Sequence, residues 1–258
     1  MRPSVDYAKL YRQLDIELAR CIEISRKHSG TRSPTGSHFY ASAIFTLLIT
    51  RTASFRKILP KPRPKTLFDS HWDFGSACTL TRSILETRLA FYYLGSEPCP
   101  QDEWTCRWSI FCLHDDASRR RVFDALSLSQ ISSEEKVEYE EMMDHHRAEL
   151  KTNSFFTALP PGDQRRFLQG KQAYLYPLET IASNCGLEVE HFRFFYSLMS
   201  QHAHALPAAY FRMGERDRGR GVHSELEERY HQMCIGLVIA LIAGAANEME
   251  AKFSDSAA

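Results

Sequence analysis

The chain has 258 residues, enough to bury a substantial core, and its 43% apolar and 25% charged residues are ordinary for a globular protein. Lys plus Arg equals Asp plus Glu at 32 each. That balance excludes a global field drawing the molecule onto nucleic acid or an anionic membrane, so any such contact needs a local patch.

The first predicted element is a helix over about 4–29. Tyr7, Tyr11, Leu14, Leu18 and Cys21 fall on one stripe, with Lys9, Arg12, Asp15 and Arg20 off it. A loop follows at Ser29 to Gly36, rich in Gly, Ser and Pro. A second helix is predicted from Ser37 to Leu59, its centre at Ala43 to Ile49 almost wholly apolar. Then comes Pro60-Lys61-Pro62-Arg63-Pro64-Lys65. Alternating prolines cannot be helical and favour an extended, stiff connection. Its three interleaved cations can touch phosphate, although a solvated linker is the plainer reading.

A third helix is predicted from His71 to Leu94, ended by Gly95 and followed by Pro98 and Pro100. Further helices are predicted at about 102–126, from an N-cap at Ser132 to about 151, and at 164–170, 177–185 and 188–205. The last runs over about 224–252, with Leu226, Tyr230, Met233, Leu237 and Leu241 as its core stripe. Its second half carries Ala240, Ala243, Gly244, Ala245 and Ala246, small residues that let a neighbouring helix approach. No strand alternation, hairpin turn or internal repeat stands out. The expected fold is therefore all-α: a helical bundle of about seven to nine helices in a single domain over 1–258.

Seven cysteines form no C-x-x-C pair, and Met1-Arg2-Pro3-Ser4 leads straight into a helical pattern. The expectation is a cytoplasmic protein with reduced thiols. The apolar run from Cys234 to Ala246 is shorter than the ~20 residues of a membrane span, so no membrane contact is expected. A homodimer is expected from the long apolar helices and small-residue faces.

The third helix is apolar nearly all round, as a central helix is. Leu80, Ile84 and Phe91 lie on one side and Cys78, Leu85, Leu89 and Tyr92 on another. Arg82 and Glu86 nevertheless sit on it four residues apart and can pair. A buried guanidinium needs more oxygen partners than one carboxylate supplies. Such a group either clasps helices in register or holds an anion. A later helix ends in Tyr196 to Leu206, where Ser200 and His204 share a face and His202 points about 200° away. His204 is either a dipole-favoured histidine in a last turn or an acid–base group facing Arg82. The candidate catalytic set is Arg82, Glu86, Ser200 and His204, with no cofactor and no metal.

Arg82-Ser83-Ile84-Leu85-Glu86, running on to Tyr92-Tyr93-Leu94, and the later Tyr196-x-x-x-Ser200-x-x-x-His204 segment resemble a helical family of unknown function near the HEPN (higher eukaryotes and prokaryotes nucleotide-binding) superfamily. The resemblance spans about 37–206 and implies a HEPN-like core there. It also implies a helical bundle that cleaves RNA without metal, as part of a toxin or phage-defence system. In HEPN nucleases four to six residues separate the Arg from the His, Arg binding phosphate and His moving protons. Arg32–His38, Arg107–His114, Arg216–His223 and Arg218–His223 fit that spacing, but roughly three such matches arise by chance.

Two other readings compete. One is a non-catalytic binding or scaffold protein with a buried Arg-Glu-His cluster. The other is a di-metal carboxylate bundle built on Glu188-x-x-His191 and Glu228-x-x-His231, with Glu86 as a further ligand. RNA contact is expected, if anywhere, at Arg119-Arg120-Arg121 or at Arg212, Arg216, Arg218 and Arg220.

Overall fold

The computed structural model describes residues 3–125, 133–211 and 219–254. The described residues form eleven α-helices, a 3-10 turn at Phe68–Ser70 and a π-helical stretch at Tyr92–Ser96. Only one isolated bridge, Trp72 with Gly221, has extended pairing among them. The all-α expectation holds, and the helix count exceeds the seven to nine expected. The additions are two short helices that periodicity cannot reveal, α6 (Ser154–Thr157) and α10 (Pro207–Phe211). Pro207 starts α10; proline suits a first helical position, where its missing N–H costs nothing.

The chain divides into two compact units, Met1–Ser96 with Ile181–Ala258, and Glu97–Thr180. The second unit contains α4 (Gln101–Ala125), α5 (Ser133–Thr152), α6 and α7 (Pro161–Leu168). Its α4 packs on α5, α6 and α7. Arg107, 3% exposed, bonds Glu97 and Glu103 there, and His114 bonds the Gly170 carbonyl. That pair therefore forms no catalytic couple. The Ser132 cap lies outside the described residues.

In the first unit, α1 (Val5–His28) buries Tyr7, Tyr11, Leu14, Leu18 and Cys21, the expected stripe, plus Ile24. Ser4 caps it by accepting the Tyr7 N–H. The helix packs on α2 (Gly36–Ile58) and on α11 (Glu225–Ser254). The central helix α3 (Phe74–Phe91) contacts α2, α9 (Val189–Ala203) and α11. It starts three residues later than expected, because Asp73 caps it through the Ser76 N–H and Trp72 is held extended by the Gly221 carbonyl. Gly95 does more than end a helix. A Cβ there would lie 2.8 Å from the Ala41 Cα, so glycine is what lets the π-helical stretch press on α2. The remaining helix, α8 (Leu178–Asn184), is short.

The 30-residue α11 is long and apolar enough to cross a membrane by length and composition. Here it lies against α1, α2 and α3 and buries Cys234, Val238, Ile242 and Met249. Of the expected stripe only Leu241 is buried. The inward face instead includes Glu227, Glu228 and His231. All seven cysteines are free thiols.

Candidate functional site

Two features lie along the α3–α9 pair, a polar clasp at its middle and a cavity at its end. In the clasp, each nitrogen of the Arg82 guanidinium meets an oxygen. Nε donates to Glu86 at 3.1 Å, one terminal nitrogen to the Ser200 hydroxyl at 2.6 Å, and the other to the Tyr196 hydroxyl at 3.0 Å. The guanidinium also lies over the Tyr196 ring, 4.5 Å from its centroid. Tyr196 donates to Glu86 at 3.3 Å, and Ser200 to the Tyr196 carbonyl at 2.6 Å. Burial, with the Glu86 carboxylate beside it, raises the Tyr196 pKa. The 82–86 and 196–200 spacings each put both residues on one helix face. Their cross-pairing runs the two helices antiparallel.

Arg82, Glu86 and Ser200 thus come together as expected, with Tyr196 as an unforeseen member. His204 does not join them. It is the C-cap of α9, exposed, with its backbone N–H on the Ser200 carbonyl at 3.1 Å. Sharing a face with Ser200 needs the helix to continue through 204. The helix ends at Ala203, and Ala205 turns away with a positive φ of 49°.

The cavity, of about 400 Å³, lies at the N-terminal end of α3, with His71, Asp73, Gly75, His202, Tyr210 and Glu227 among its lining residues. It is roughly 10 Å along α3 from Arg82, taking the rise of an ideal helix. His202, two residues beyond Ser200 on α9, lines it against the start of α3. Its ring stands edge-on to Phe74 at 4.7 Å between centroids. His71 enters from the segment before α3. Gly221 admits it: a Cβ there would lie 2.9 Å from His71 Cε1, and its φ of 73° suits glycine. Tyr210, on α10, donates to the Ala205 carbonyl.

The charged groups have clear causes. Burial pushes the Asp73 carboxyl up, but hydrogen bonds from Ser76 and the neighbouring His71 and His231 outweigh it and hold it below the usual carboxylate range. Glu227, 2% exposed, accepts the Gly219 N–H at 2.7 Å. Behind the cavity His231 is 1% exposed, and its Nδ1 lies 2.8 Å from the Glu227 carbonyl. A carbonyl only accepts, so Nδ1 carries the proton. Burial lowers this imidazole's pKa to about 4, leaving it neutral near pH 7.

Trp72 fills the space beneath, its ring 4.9 Å from His223, 5.1 Å from His231 and 5.1 Å from Tyr7. His223 bonds Glu228 at 2.6 Å, and Glu228 also accepts the Ser4 N–H at 3.1 Å. Burial raises the Glu228 carboxyl, and the Ser4 and His223 bonds overcome that and lower it. The α11 start, the α1 cap and the cavity floor thus share one polar network.

The other candidates disperse. Glu188 and His191 are exposed and pair with each other. Glu228 and His231 serve the network just described, and Glu86 serves the clasp. Among the described residues no three His, Cys, Asp or Glu side chains gather as metal ligands. Arg119 pairs with Asp115, and Arg120 with Asp124 and Glu140, which offsets that patch. Arg212, Arg216 and Arg218 lie outside the described residues; Arg220 is exposed.

Sequence reasoning missed His71, Asp73, His202, Tyr210 and Glu227 as a set. The one local signal was Asp73, a capping residue directly before a helix that carries Gly75 in its first turn.

A comparison with family profiles matches residues 66–220, more than half of the chain, to a family of unknown function, DUF5677. The match includes the whole clasp and the cavity residues from His71 to Gly219, and stops short of Glu227. No curated protein and no solved structure matches the chain.

Proposed function

Since the chain belongs to DUF5677, a family without a known function, we propose its activity from the cavity: it is a HEPN-like protein that cleaves RNA without metal, in a toxin or phage-defence setting. The observation carrying this reading is that two imidazoles, His71 and His202, face one cavity of about 400 Å³. RNA supplies its own nucleophile. One imidazole takes the proton of a ribose 2′-hydroxyl, and the 2′-oxygen attacks the adjacent phosphorus. The bond from phosphorus to the 5′-oxygen breaks, and the other imidazole, protonated, gives its proton to that oxygen. The products are a 2′,3′-cyclic phosphate and a 5′-hydroxyl end. The first turn of α3 lines the cavity, and its dipole offsets negative charge developing on the phosphoryl oxygens.

Arg82, Glu86 and Ser200 are positioning residues in this reading. Each Arg82 nitrogen already has an oxygen partner, and the clasp fixes the stretch of α9 that delivers His202. The same saturation supports a second reading, in which the clasp belongs to a non-catalytic binding protein.

The test is incubation of the full chain with RNA in excess chelator. Cleavage that His71→Ala and His202→Ala each abolish, with unchanged helical circular dichroism, supports the catalytic reading. Intact RNA beside well-folded protein rejects it and leaves the binding protein.

A further inference from the structure

We infer that the loop from Pro60 to His71 is a landing platform for single-stranded nucleic acid, feeding the strand into the cavity. This rests on the catalytic reading of the same cavity and names its substrate's form. The loop is braced from inside. Tyr7 donates to the Pro60 carbonyl at 2.7 Å, fixing its start. Asp69 ties the rest, accepting the Lys65 and Thr66 N–H groups at 3.0 and 3.2 Å and pairing with the Lys61 ammonium at 2.7 Å. The Lys61 N–H reaches the Asp69 carbonyl, also at 2.7 Å. These bonds hold Asp69 well below the usual carboxylate range, at about 2.

The bracing uses one cation of three. Arg63 and Lys65 are exposed and have no carboxylate partner among the described residues. Phe68 is 89% exposed and its neighbour Leu67 84%. Leu67 and Phe68 form one contiguous apolar patch on a braced loop, the kind of surface that marks a contact, and a base stacks on such a ring with any sequence. Phe68 stands three residues before His71, a cavity wall. On the other rim Tyr210 lines the cavity, and its neighbour Phe211 is 78% exposed.

Cations, exposed rings and a cavity therefore follow one another along a path. A flexible strand can lay phosphates on Arg63 and Lys65, stack a base on Phe68 and place the next linkage between the imidazoles. A duplex keeps its bases stacked internally and offers none to Phe68. A protein partner for the rings would leave the two cations unexplained.

The experiment is fluorescence anisotropy of labelled oligonucleotides with the full-length His202→Ala chain, which keeps RNA intact. Single-stranded RNA, single-stranded DNA of the same sequence and RNA duplex form three arms. The expected result is salt-dependent binding of single strands and at least tenfold weaker binding of duplex. RNA against DNA then reads the contribution of the 2′-hydroxyl. Adding Arg63→Ala with Lys65→Ala should flatten the log–log salt slope by about 1.4, since each single-strand phosphate contributes about 0.7. Phe68→Ala should weaken binding by about tenfold or more. Removing two remote cations, with Lys27→Ala and Arg32→Ala, should change neither.

Binding that persists when wild-type protein leaves RNA uncut would sustain the platform and reject the chemistry. Cleavage that persists when Arg63, Lys65 and Phe68 are all alanine, with unchanged KM, would reject the platform and sustain the chemistry. Duplex binding equal to single-strand binding also overturns it.

Discussion

The Arg82 guanidinium donates to the Ser200 hydroxyl at 2.6 Å, two residues before the imidazole that enters the cavity. One bond across two helices thus sets the register of a group that takes no part in it. Side-chain exposure is 13% at Arg82 and 41% at Glu86, so the pair is only partly withdrawn from water. Arg82→Ala should cost about 2–3 kcal/mol in denaturant unfolding, through three lost hydrogen bonds and a Glu86 carboxylate left without its cation. Arg82→Lys should recover only part, because an ammonium cannot span three oxygens in one plane. Equal stability of wild type and Arg82→Ala would show that the clasp does not hold α9.

Arg88 is the most deeply buried cation of α3, 3% exposed, and bonds Glu248 on α11, which also accepts from Ser96. Arg88→Ala should cost about 3–5 kcal/mol, because an unpaired Glu248 remains. Arg88→Met with Glu248→Met should recover most of it, as apolar replacement of both partners does. A double variant as unstable as the single one would contradict this.

His231 should dominate the acid limb of stability. Its pKa falls from 6.5 to about 4 on folding, so the unfolded chain binds its proton first. Its contribution is complete above 6.5 and is lost as pH falls from 6.5 toward 4, amounting to about 3 kcal/mol at most. Asp73 and Glu228, both lowered on folding, lose theirs only at lower pH, through the carboxylate range. Unfolding of His231→Leu should slope less steeply than wild type between pH 6.5 and 5, the remaining slope coming from His28 and His38, which burial also lowers. A parallel slope in the two proteins would place the titrating group elsewhere.

Gly221→Ala tests the entry of His71. The new methyl would meet His71 Cε1 at 2.9 Å on a backbone at φ 73°. A stability loss of about 1–2 kcal/mol is expected from the backbone alone. RNA cleavage should fall further than stability accounts for, because the displaced ring is exposed and its loss barely affects folding. Unchanged kcat in folded Gly221→Ala would remove His71 from the chemistry.

The sequence makes some of this legible and hides the rest for physical reasons. The Tyr7 to Cys21 stripe of α1 is plain because one face meets the core and nothing competes with it. On α11 the same reasoning selects Leu226, Tyr230, Met233 and Leu237, all only half-buried. Glu227, Glu228 and His231 turn inward instead, satisfied by the Gly219 and Ser4 amides, by His223 and by a helix carbonyl. Polar groups with dedicated partners override an apolar stripe, and this happens where the cavity is built. Arg82, Glu86 and Ser200 are legible because each pair is local to one helix. His71, His202 and Glu227 come from three distant segments, and no spacing marks them. His204 misleads because its place depends on where α9 stops, the least legible property of a helix.

The most direct measurement is the pH dependence of kcat/KM for a single RNA oligonucleotide in chelator, with cyclic-phosphate product identified by mass. A bell-shaped profile is expected for wild type and for His204→Ala alike. His71→Ala and His202→Ala should each lower the rate at least a hundredfold and erase one limb. A profile untouched by His202→Ala, or activity that vanishes with His204→Ala instead, would contradict a pair of imidazoles working across this cavity.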